Sequence, residues 1–188
     1  MFFVGLDLGQ REDFTAIAVV EREQKAWGIQ GGLMVRYLER MPLGTSYLRV
    51  VERVGAMLRH PEMAGRSRLA VDATGVGAPV VEMLGSAGLA PVMTAVTITS
   101  GAQAHGRGAS WNVPRKDLLM GLEVLLERGE LTISRRIAEA ERLVRELTSM
   151  RARGDSREHD DLVMAVGLAC WRARAAKSGF GTRRLPGI

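Results

Sequence analysis

Three separated stretches put carboxylates where a core should be. Asp7 stands in the apolar run Phe2-Phe3-Val4-Gly5-Leu6-Asp7-Leu8-Gly9. Asp72 ends Leu69-Ala70-Val71-Asp72, and Asp160-Asp161 open an almost wholly apolar segment, Leu162 to Trp171. A charge inside an apolar strand is costly unless a cation, a donor or a metal compensates it. Acids crowded together repel and retain protons, and a divalent cation reverses this because it needs anionic oxygen ligands. Two such ions ~4 Å apart can clamp a phosphodiester and activate water for in-line attack. Oxygen-only ligands favour Mg2+ or Mn2+ over zinc. Each acid also has an ordinary reading: Asp7 as a buried acceptor, Asp72 as a cap on the Ala73–Gly77 turn, Asp160 and Asp161 as first-turn helix charges. His159, just before the pair, reads either as an exposed first-turn residue or as a secondary ligand.

The elements that must bring these residues together follow from periodicity. Residues 2–9 predict a first strand, Phe14–Val20 a second and Trp27–Arg40 a third, joined by short polar turns as an antiparallel meander. Thr45 or Ser46 caps a helix to about Arg59. Leu69–Asp72 is a short strand, Ala78–Ser86 a helix and Pro91–Ile98 another strand, a parallel crossover. Thr99–Asn112 has no apolar period and reads as a long loop or flexible hairpin. Helices follow from Pro114 to about Arg128, from about Arg135 to Met150, and from Glu158 to Ala175, with a short strand at Leu131–Ile133. The fold class expected is α/β: a mixed sheet, antiparallel meander then parallel strands, with helices on both faces. Residues 1–176 make one domain, and 177–188 a basic flexible tail.

Composition narrows the chemistry further. A chain of 188 residues is large enough for a sizeable core, and no apolar run is long enough for a membrane span. The single cysteine, Cys170, excludes an internal disulfide and a cysteine-based zinc site. The net charge of +5 arises wholly beyond residue 100, and 23 of the 26 basic residues are Arg, the better phosphate fork. Arg107, Arg115, Lys116, Arg151, Arg153 and Arg157 flank the acids in sequence. They are candidates for DNA phosphate contacts that position without reading sequence, or members of a solvated basic face.

The set Gly5-Leu6-Asp7-Leu8-Gly9, Val71-Asp72-Ala73-Thr74-Gly75-Val76-Gly77 and His159-Asp160-Asp161-Leu162-Val163-Met164-Ala165 resembles the nuclease domain of tailed-phage terminase large subunits. Trp111–Leu118 and Leu131–Ile133 resemble that family's stretch between the second and third acids. The resemblance implies an RNase H-like (RuvC-like) fold and metal-dependent cleavage of double-stranded, concatemeric DNA at initiation and termination of genome packaging. It implies Asp7 as the ligand shared by two Mg2+ or Mn2+ ions, Asp72 as the second acid, and Asp160 with Asp161 at the third position. His159 is a secondary candidate. A terminase ATPase domain, a small terminase subunit and a portal are the implied partners, in the cytoplasm of an infected bacterial host. No Gly-x-x-x-x-Gly-Lys-Ser/Thr motif is present, so the chain is expected to be an isolated nuclease domain that binds no ATP. A RuvC-type Holliday-junction resolvase shares the acidic set. Asp7-Leu8-Gly9 and Asp72-Ala73-Thr74-Gly75 also resemble the phosphate loops of an actin-like ATPase or sugar-kinase half. A non-catalytic nucleic-acid-binding module is the remaining alternative.

Overall fold

The computed structural model describes residues 1–9, 13–24, 30–75, 77–153 and 160–177. Strands β1 (Phe2–Asp7), β2 (Ala16–Gln24) and β3 (Gln30–Arg40) form the antiparallel meander. Helix α1 (Tyr47–Leu58) follows, started by Ser46, whose hydroxyl accepts from the Arg49 N–H at 3.4 Å. Then come β4 (Ser67–Asp72), α2 (Gly77–Leu84), β5 (Met93–Thr99), β6 (His105–Arg107) and β7 (Ser110–Pro114). The chain continues through α3 (Arg115–Glu127), β8 (Leu131–Ile133), α4 (Ala140–Arg153) and α5 (Asp161–Lys177). The strands make one mixed sheet in the order β6-β7-β5-β4-β1-β2-β3-β8. β1, β4, β5 and β7 are parallel to one another in turn, as are β3 and β8.

Side chains alternate across a strand, and this decides where the acids point. Val4, Leu6 and Leu8 join Ile17, Val19, Leu69 and Val71 on the face covered by α1 and α2. Phe3 joins Ala16, Ala18 and Val20 on the opposite face, against α5, α3 and α4. Gly5 and Asp7 share the face of Phe3, so Asp7 projects beneath α5. At Gly5 the helix comes so close that a Cβ would collide with the Ala165 carbonyl and lie 2.9 Å from the Ala169 nitrogen. Ala70 of β4 packs on the same side with Met164 and Leu168, which puts Asp72, two residues on, on that face too. Residues 161–170 of α5 are all buried, which accounts for its apolar composition on every side. An edge-on contact between Trp111 and Trp171, 5.9 Å between ring centres, ties β7 to the same helix.

Several boundaries differ from those read in the sequence. Pro91 lies in a tight helical turn, Ala90–Val92, and β5 starts only at Met93. The Thr99–Asn112 stretch contains β6 and the start of β7. These are exposed or half-buried edge residues, so no apolar period marks them. Pro114 closes β7 rather than opening the helix, whose first residue is Arg115. Residues 134–139 turn before α4: the Ala140 N–H reaches the Ile137 carbonyl, and Glu139 has φ +65°. Helix α5 begins at Asp161, with the Asp160 carbonyl accepting from the Met164 N–H at 2.9 Å.

Candidate active site

The β1–β4 register places Leu6 opposite Val71, so Asp7 and Asp72 emerge side by side from the same end of two parallel strands. Asp7 is also opposite Ala16 of β2, and Ala16 is opposite Arg40 of β3. One row across the sheet therefore reads Asp72, Asp7, Ala16, Arg40. Asp160 and Asp161, both buried, meet this row from above at the start of α5.

Burial raises the proton affinity of Asp7, Asp72 and Asp161, and the other three acids raise that of Asp7 further. Desolvation pushes the Asp7 carboxyl well above the ordinary carboxylate range, and Asp72, Asp161 and Asp160 add to that shift; Arg115 opposes it. Burial also raises Asp72, against hydrogen bonds from Thr74 and Asp7. The Thr74 N–H donates to Asp72 Oδ1 at 2.8 Å, so the expected capping turn is formed by the same acid. Asp161 is raised by burial, opposed by Arg40, with further repulsion from Asp13 and Asp160.

Two arginines supply nearby positive charge. The Arg40 guanidinium lies 3.1 Å from Asp161 Oδ2 and stacks on Phe14 at 3.4 Å from the ring centre. Arg115 donates to Asp160 and, at 3.1 Å, to the Met164 sulfur. Among the described residues no three His, Cys, Asp or Glu side chains already form a shell around a single point. Asp161 and Asp160 are engaged with these guanidiniums instead.

Of the other sequence candidates, Arg107 is exposed on β6 and Lys116 is exposed on the first turn of α3. Arg115, expected at phosphate, is turned toward the acids. Arg151 and Arg153 fall in the last turn of α4, and their side chains lie outside the described residues, as do His159, Arg157 and the 178–188 segment. Cys170 is buried with its thiol pushed up to about 12, so it offers neither a nucleophile nor a ligand at neutral pH.

Neither a protein-family model nor a curated protein matches the sequence. Solved structures do. The chain is similar to the human cytomegalovirus terminase nuclease domain, soaked with Mn and bound to an inhibitor: TM-score 0.58, 16% identity, 92% of this chain and 82% of that one covered. It is similar to the large terminase nuclease domain of bacteriophage SPP1 with bound Mn: TM-score 0.53, 14% identity, coverage 92% and 86%. It is also similar to Thermus thermophilus RuvC: TM-score 0.52, 15% identity, coverage 96% and 98%. The chain has the RNase H-like fold.

Within this RNase H-like domain two further charged residues, not singled out from the sequence, adjoin the acids. Arg40 closes β3, and a strand-end cation in register with Asp7 was its only signal. Glu146 is on the inner face of α4, 6% exposed. Its Oε2 accepts from the Leu162 and Val163 N–H groups at 3.1 and 3.2 Å. Burial pushes its carboxyl up to about 7; those two backbone bonds and Arg40 oppose the shift, and Asp161 adds to it. The folded chain thus holds the Glu146 proton more tightly than the unfolded chain. Its contribution to stability falls as pH rises from the ordinary value of 4.5 toward about 7. Glu146→Gln is expected to flatten the fall in melting temperature between pH 5 and pH 8, measured calorimetrically against the parent. An unchanged slope would show that Glu146 does not titrate in that range.

Proposed function

We propose that this chain is a metal-dependent endonuclease acting on double-stranded DNA, the nuclease domain of a tailed-phage terminase large subunit. One observation carries the reading. Acids from β1, β4 and the start of α5 converge so that Asp7 is raised by each of the other three. A buried acid whose ionisation is further suppressed by three neighbouring acids calls for positive charge. The donors are carboxylate oxygens, suited to Mg2+ or Mn2+. Asp7, Asp72, Asp160 and Asp161 would hold two such ions. His159 is a secondary ligand candidate. When bound, the ions supply Lewis acidity toward the phosphodiester and lower the pKa of water.

The chain's own residues do the rest. Asp7 and Asp72 must be ionised to act as ligands, so raised proton affinity makes the reaction faster as pH rises through their titration. Thr74 holds Asp72 in its rotamer. Arg40 and Arg115 hold Asp161 and Asp160 by ion pairs, and the same two guanidiniums would be placed to meet phosphate oxygens of a strand laid across the acids. Arg107 and Lys116, exposed, with Arg151, Arg153 and Arg157, are the further candidates for backbone contact. The terminase setting brings the ATPase domain, the small subunit and the portal as partners in the infected host cell.

The test is cleavage of supercoiled plasmid and linear duplex in Mn2+, Mg2+ and EDTA. Expected are double-strand breaks with weak sequence preference in either metal and none in EDTA. Cleavage in chelator, or no cleavage in any metal, overturns the assignment. The resolvase alternative is favoured by one observation, the near-complete mutual coverage with RuvC. Preferential, paired nicking of four-way junctions over duplex would select it.

A further inference from the structure

The α5 N-terminus has a support that neither the acid set nor the cations supply. The first turn of a helix leaves backbone N–H groups without intrahelical acceptors. Here the Met164 N–H reaches the Asp160 backbone carbonyl, while those of Leu162 and Val163 both reach Oε2 of Glu146, 16 and 17 residues back on another helix. The other oxygen, Oε1, is buried without a hydrogen-bond partner among the described residues. An acid kept in an apolar interior with one oxygen unsatisfied costs stability. Packing alone would be better served there by Leu or Met. Asp160 and Asp161 sit at the very start of the helix that Glu146 anchors. We infer that Glu146 is a positioning residue: by capping α5 from α4 it fixes where the helix starts, and so where Asp160 and Asp161 stand relative to Asp7 and Asp72.

This inference rests on the nuclease reading and adds to it a residue that touches neither ion nor DNA. Partners one layer behind a ligand commonly alter metal affinity or activity ~10–100-fold when replaced. What matters here is the acceptor oxygen and its reach, not the charge. Gln keeps an acceptor at the same distance. Asp keeps the charge but withdraws the oxygen by one methylene.

The experiment compares Glu146→Gln and Glu146→Asp with the parent protein. Mn2+ affinity is measured by calorimetry, plasmid cleavage in Mn2+ is followed, and amide hydrogen exchange is read at Leu162 and Val163. Expected are near-parental affinity, cleavage and amide protection in Glu146→Gln. Glu146→Asp should lose roughly 10-fold or more in Mn2+ affinity, with faster exchange at both amides. The reverse order, Asp preserved and Gln lost, overturns the inference, because the charge would then act directly. Parental Mn2+ affinity in both variants also overturns it and leaves the nuclease reading standing. A parent that binds no Mn2+ overturns both. If Glu146→Asp does not fold, slow exchange of the Leu162 and Val163 amides in the parent, lost on protonation-independent replacement by Gln, likewise overturns it.

Discussion

Asp7→Asn is expected to abolish metal-dependent cleavage and, in chelator at neutral pH, to raise the melting temperature. The two effects share one cause. Asp7 is pushed well above the ordinary carboxylate range by desolvation and by Asp72, Asp161 and Asp160. The folded chain therefore binds the Asp7 proton more tightly than the unfolded chain does. The contribution of this acid falls as pH rises through the carboxylate range toward the folded-state value. Without metal, its charge is a cost at neutral pH. Asn keeps the shape and can still donate to Asp72, but removes the charge. Each kcal/mol recovered is worth ~2–4 °C for a chain of this length. In Mn2+ the order is expected to reverse, because under the proposed function the parent would gain stability by binding and the variant would not. Cleavage should fall by at least roughly 10^2–10^3-fold, the scale on which one group that stabilises the transition state is lost. Calorimetric melts with EDTA and with Mn2+, beside a plasmid assay, check both halves. A variant that cuts like the parent would remove the metal-site reading. One that melts earlier in EDTA would mean that the arginines already balance the cluster.

Gly5→Ala should be among the most damaging single substitutions in the chain, although it adds one methyl group and touches no charge. The added carbon would collide with the Ala165 carbonyl and approach the Ala169 nitrogen to 2.9 Å. Both belong to helix backbone and cannot rotate away. Overpacking costs ~1–3 kcal/mol where side chains can adjust, so a backbone clash is expected at or above about 3 kcal/mol. The relief available is for α5 to lift from β1. That movement would carry Asp160 and Asp161 away from Asp7 and Asp72, and would strain the Glu146 bonds to Leu162 and Val163. Denaturant unfolding should show the loss. Any protein that folds should bind Mn2+ more weakly. Stability within about 0.5 kcal/mol of the parent would show that the helix does not sit as close to β1 as described.

Gly5 also shows how far the sequence could be read. Its neighbours Phe3 and Asp7 mark one face of β1 by simple alternation, and the acids of β4 and α5 follow the same logic. The meander, the parallel crossovers and helices on both faces were therefore legible from apolar periodicity and turn residues. For Thr99–Asn112 the sequence left a long loop and a flexible hairpin both open, because exposed edge residues carry no pattern of burial, and the structure has the hairpin, β6–β7. The start of α4 was misjudged because Arg135 and Arg136 suit a helix as well as the turn they occupy. Arg40 and Glu146 escaped notice for a different reason. Each is one charged residue among many on its element, and only tertiary register gives it meaning: Arg40 through Ala16 to Asp7, Glu146 through two backbone amides of a helix it is not part of.

The ends of the sheet bear on how copies of this chain can associate. Its outermost strands, β6 and β8, are three residues each. Edges so short offer few free backbone groups to a neighbouring strand. On the β8 side, however, β3 runs on to Arg40 past Val35, the last residue that β8 pairs, so the rim there is longer than β8 itself and leaves room for strand addition. Substitutions along this part of β3, Arg36–Arg40, and on the exposed sides of α1, α3 and α4 are where assembly of this domain would be gained or lost.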